Sequence, residues 1–84
     1  MTIRAITQSG TEYIFTQNKD GEFHFMRGIT TGKVTKMHRP IEVGTPLEFD
    51  FLREGVYGAT ETFPTYFRST EVKKIAIFDL IPHE

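Results

Sequence analysis

Four cationic or titratable side chains, Lys33, Lys36, His38 and Arg39, fall within the eight residues KVTKMHRP of a chain whose formal net charge is only -1. Lysine and arginine at this density are what neutralises nucleic-acid phosphates. Single strands are held by basic grooves on small barrels with aromatic platforms. Against that reading, the isoelectric point is near 6.3, far below the value above about 9 expected of a dedicated binder. The basic segment also holds few aromatics, only Phe23 and Phe25 at its edge, which read as core.

The charge is unevenly distributed. Arg27, Lys33, Lys36 and Arg39 make residues 23–41 purely basic; Glu42, Glu48, Asp50, Glu54, Glu61 and Glu71 outweigh Arg53 and Arg68 over residues 42–71. Two adjacent blocks of opposite sign either neutralise each other by packing side by side or present a polarised surface, and sequence alone does not separate the two.

Catalytic chemistry finds little support. The chain has no cysteine, so it has no thiol nucleophile, disulfide or thiolate metal site. No nucleophile elbow, HExxH or phosphate-binding loop is present. His24, His38 and His83 lack the spacing that puts two ligands on one strand or helix face. Glu48 and Asp50 share a strand face about 7 Å apart, within reach of paired-carboxylate chemistry; they read instead as the wet side of a half-buried strand. No catalytic residue, metal or cofactor is expected.

The remaining unusual stretch is FPTYF, in which Phe63, Tyr66 and Phe67 crowd a proline-defined turn and Arg68 follows. Aromatic residues beside arginine are the raw material of interface hot spots; the alternative is that the rings fold back to cap the open end of a small core. Tyr66, Phe67 and Arg68 are the candidate partner-binding residues, with Lys33, Lys36 and Arg39 as an electrostatic rim.

The elements that position these residues follow from a period of two. At 84 residues the chain is one domain, 1–84, burying only about 60% of its unfolded surface. Its core must come from side chains, and eight Phe and three Tyr supply it, with all eleven rings expected to fill the middle. Strands are predicted at Thr2–Thr7, Glu12–Gln17, Glu22–Arg27, Thr45–Leu52, Val56–Phe63 and Glu71–Ile81. Asp20-Gly21 marks a hairpin. Tyr13 and Phe15 share a face, as do Phe23 and Phe25, and as do Leu47, Phe49 and Phe51. The phase change across Lys73-Lys74 calls for a bulge. Apolar residues on both faces near Ala76–Ile81 suggest that the last strand is central.

Gly28–Gly44 reads as loop with at most a short edge strand at Val34–Met37, because Val34 and Met37 are out of phase. Pro64–Thr70 reads as an aromatic loop. A helix competes only over Ser69–Phe78, where Ile75, Ile77 and Phe78 favour strand. The fold expected is all-β: a small antiparallel sandwich or SH3-like partly open barrel of about six strands. No signal peptide is seen, and no stretch approaches the roughly 20 apolar residues of a membrane span. A cytoplasmic protein that makes no use of a membrane is therefore expected, in the host cytoplasm if viral.

TQSGTEYIF, IEVGTPLEFDF and RSTEVKKI together carry a family resemblance. A chain that opens T-x-S-G-x-x-Y, centres on V-G-x-P-L-x-F and closes S-T-x-V-x-x-I resembles small all-β proteins of bacteriophage and prophage genomes, largely without assigned activity. The resemblance spans most of the chain. It implies a small accessory protein and carries over no functional residue. The expected function is a non-enzymatic interaction module that binds and modulates a protein partner or self-associates as a homodimer. The alternative is a nucleic-acid-binding barrel using the basic 27–39 segment.

Overall fold

In the computed structural model, which describes residues 1–54 and 62–78, six antiparallel strands run in chain order and close into a barrel. They are β1 (Thr2–Thr7), β2 (Glu12–Gln17), β3 (Phe23–Arg27), β4 (Thr30–Met37), β5 (Pro46–Arg53) and β6 (Thr65–Phe78). Each strand pairs with its sequence neighbour, and β1 pairs with β6 to close the ring. Closure removes the exposed edges that a sandwich or a partly open barrel would leave unpaired.

The side-chain alternation is as expected on β2, β3 and β5. Tyr13, Phe15, Phe25, Leu47, Phe49 and Phe51 are buried with Ala5, Val34 and Val72. Phe49 contacts Phe15 edge-on at 5.5 Å between ring centroids, and Phe25 meets Phe51 at 4.7 Å. Such tilted and edge contacts contribute about 0.5–1.5 kcal/mol each beyond area burial. Not all the rings enter, however. Phe63, Tyr66 and Phe78 stand on the outside; for Tyr66 the reason is that alternation along β6 turns its neighbour Phe67 inward.

Two segments depart from the sequence reading. Residues 30–37, expected as loop with at most a short edge strand at Val34–Met37, form an eight-residue strand paired on both sides. The out-of-phase Val34 and Met37 are reconciled by a bulge: Val34 pairs with Phe51, Lys36 with Asp50, and Thr35 is the extra residue. The turn before it, Gly28-Ile29, joins Arg27 to its partner Thr30. Gly28 has φ +58 and Ile29 is not left-handed, the pattern of a two-residue hairpin with glycine first.

Residues 65–70, also expected as loop, are instead the first half of the 14-residue β6. Ile77 and Phe78 are exposed, so the end of β6 is not the central strand expected: residues 72–78 pair with β1, whereas β5 pairs with residues 65–71. The predicted strand at Val56–Phe63 lies outside the described residues except for Thr62 and Phe63, which form a bend.

The bulge expected near Lys73-Lys74 is present: Ile6 pairs with Lys74 and Thr7 with Val72, leaving Lys73 extra. A third irregularity separates Pro46↔Glu71 from Glu48↔Arg68. There the Leu47 amide donates to the Ser69 hydroxyl at 2.8 Å in place of a backbone carbonyl. Bulges bend and twist strands, which is how so few of them come full circle.

Candidate functional site

The outer face of β4, β5 and β6 gathers most of the residues singled out from sequence. Lys36 stands opposite Asp50, and Asp50 opposite Tyr66. One step along, the His38 amide donates to the Glu48 carbonyl at 2.9 Å, and Glu48 stands opposite Arg68. Alternation turns Glu48 and Asp50 outward because Leu47, Phe49 and Phe51 turn in.

Glu48 is the hub. Arg39 Nε donates to its Oε1 at 2.7 Å, and the Tyr66 hydroxyl donates to its Oε2 at 2.6 Å. The Tyr66 hydrogen bond first, and Arg39 second, hold the Glu48 carboxyl below its ordinary range. The same bond raises the Tyr66 phenol above its ordinary value, because ionising it would set two anions together. His38 Nε2 lies 3.0 Å from Asp50 Oδ1, and the His38 ring meets the Tyr66 ring edge-on at 5.6 Å. The Tyr66 ring is therefore 53% exposed yet held at its hydroxyl and along its edge.

A second cluster lies on the neighbouring outer face of β3 and β4. Lys33 Nζ is 3.4 Å from Glu22, and His24 lies 3.5 Å from Glu22 and 3.2 Å from Glu54. Lys33, first, lowers the Glu22 carboxyl. Lys33 belongs to this cluster and not to the rim around Tyr66. The two adjacent blocks of opposite charge thus meet: Arg39 pairs with Glu48, and the His38 ring lies against Asp50, joining the basic segment to the acidic one.

The expected Tyr66, Phe67, Arg68 patch is divided by strand alternation. Tyr66 and Arg68 face out. Phe67 is half-buried, with its ring 5.3 Å from Phe49 and 5.7 Å from Tyr13, so it is withdrawn from the contact surface. The FPTYF aromatics are neither all cap nor all interface.

Chemically, both Glu48 oxygens are engaged, Oε1 by Arg39 and Oε2 by Tyr66. A general acid at neutral pH needs a raised carboxyl, and Glu48 is lowered with both oxygens engaged. Among the described residues no group of three His, Asp or Glu side chains is placed to hold a metal ion. His38, Glu48 and Asp50 were not singled out together by sequence reasoning. Their meeting with Tyr66 depends on β6 beginning at Thr65, where the sequence reads as loop.

No protein-family model, curated protein or solved structure matches the chain.

Proposed function

We propose that this barrel is a non-enzymatic interaction module that docks a protein partner on the outer face of β4–β5–β6. Tyr66 and Arg68 form its centre, and Lys36 and Arg39 its rim. The observation that supports this is the exposed Tyr66 ring held in place by Glu48 and His38. An aromatic side chain already fixed in the free protein loses little rotamer freedom on binding, which raises the affinity it can contribute. Arg68 and Lys36 beside it make no ion pair among the described residues, leaving them available to a partner's carboxylates. The phage-type pattern of turns and strands fits an accessory protein that modulates its partner by covering part of its surface.

Nucleic acid is the less favoured ligand because Lys33 and Arg39 already face carboxylates, and phosphate binding requires those charges to be exchanged. The test is affinity capture from host lysate with wild type and with Tyr66→Ala/Arg68→Ala. A protein retained by wild type and lost from the variant is the expected result; the same protein retained equally by both counts against this face. Labelled oligonucleotides are expected to show no retention at about 50 mM salt. Tight, steeply salt-dependent retention that disappears in a Lys33/Lys36/Arg39 triple alanine variant would replace the protein partner with nucleic acid.

A further inference from the structure

A separate feature lies at one end of the barrel. On β3 the inward series Phe23, Phe25 continues to Arg27, and on β5 the series Leu47, Phe49, Phe51 continues to Arg53. Both strands therefore finish with an arginine on the side where their neighbours are rings. Arg27 is the partner of Thr30 and Arg53 the partner of Gly32, so the two arginines flank β4 at the same end.

Between them is a pit of about 140 Å³ whose walls include Tyr13, Phe25, Phe51 and Phe67. The Arg27 guanidinium sits 5.8 Å from the Phe67 ring centre, over its face, which fixes it at the opening. Neither Arg27 nor Arg53 makes an ion pair among the described residues.

We propose that this pit is a binding site for a small aromatic oxyanion: one flat ring among the phenyl groups, with a carboxylate or phosphate held by Arg27 and Arg53. The size fits, since an apolar cavity of about 150 Å³ takes up benzene. The charge fits, since Arg27 and Arg53 both line the pit without an ion-pair partner among the described residues, and arginine presents paired donors to an anion. Tyr66 also borders the pit, beside Phe67; Arg27, Arg53 and the buried rings would hold the ligand whether or not the outer face docks a protein.

The test titrates the full chain with benzoate and with phenyl phosphate, followed by NMR of the aromatic side chains. Benzyl alcohol supplies the ring without the charge, and acetate the charge without the ring. Saturable shifts of Tyr13, Phe25, Phe51 and Phe67 are expected with both acids, with dissociation constants of about 1 mM or tighter. The tighter of the two acids identifies the head group. Benzyl alcohol and acetate should each bind at least about tenfold more weakly. Arg27→Gln and Arg53→Gln should each weaken benzoate by about tenfold, and Arg53→Lys, which keeps the charge but not the fork, by less. Thermal unfolding of each variant checks that the barrel is intact. The proposal is overturned if benzyl alcohol binds as tightly as benzoate. It is equally overturned if neither acid saturates these resonances by about 10 mM, or if a folded Arg27→Gln/Arg53→Gln double variant binds benzoate undiminished.

Discussion

Tyr66 donates its hydroxyl hydrogen bond not to Asp50, the residue directly opposite it, but diagonally to Glu48, at 2.6 Å. Diagonal neighbours on one sheet face are within reach of a long aromatic side chain. The choice leaves Asp50 to His38 and ties β5 to β6 outside the backbone ladder. Its pH dependence has two signs. Glu48 is lowered, so its contribution is present above the ordinary carboxyl value of 4.5 and lost as pH falls through the folded one. Tyr66 is raised, so its contribution is present below 10.0 and lost as pH rises through the folded value. The stability difference between wild type and Tyr66→Phe, from urea unfolding, should be largest between these limits and shrink at both ends. A difference that does not vary with pH would show that the bond contributes nothing.

Gly32 is required by the rings around it. A Cβ there would lie 2.8 Å from the Leu52 carbonyl oxygen, 2.9 Å from Phe25 Cε1 and 3.0 Å from Phe51 Cδ2. The carbonyl belongs to the β5 ladder and cannot move aside cheaply. Gly32→Ala is expected to destabilise the barrel by about 1–3 kcal/mol, as overpacking does. A denaturant midpoint equal to wild type would mean that β4 and β5 are further apart than described.

Ser69 completes the ladder where β5 and β6 lose register. Its hydroxyl accepts from the Leu47 amide and donates to the Thr70 carbonyl at 2.6 Å. Ser69→Ala removes that acceptor and should cost about 1–3 kcal/mol, while Ser69→Thr, which keeps a hydroxyl, should cost less. Hydrogen exchange at Leu47 should accelerate in the alanine variant more than at its neighbours; equal acceleration throughout would point to a general loosening instead.

Glu22 owes its lowered carboxyl first to Lys33. In Lys33→Ala, a carboxyl-carbon NMR titration should show Glu22 moving up towards the ordinary 4.5, with Glu48 unmoved because its partners are Tyr66 and Arg39. Movement of both together would mean that the two outer clusters are one network.

Much of the barrel was legible residue by residue. β1 and β2 have the predicted limits, since β-branched and aromatic alternation between turn residues is a local signal. The bulge at Lys73 was readable because an apolar series changing phase leaves its mark in the sequence alone. Of β4 only a short strand at Val34–Met37 was legible, for the complementary reason: one bulge residue, Thr35, hides the alternation of Val34 and Met37, and Gly28-Ile29 does not stand out as the tight turn it makes. Thr65–Thr70 looked like loop because its outward Tyr66, Arg68 and Thr70 outweigh the single inward ring of Phe67.

Fold class, the inward residues of β2, β3 and β5, and the lack of a thiol follow from the order of residues, because period and composition are properties of the chain. Strand pairing in three dimensions was needed to establish that the barrel closes, that Phe67 turns in while Tyr66 and Arg68 turn out, and that Arg39 and Tyr66 share one carboxylate. Those outcomes depend on the register between strands far apart in the chain. A shift of one residue there reverses every side chain from inside to outside, and no local pattern records it.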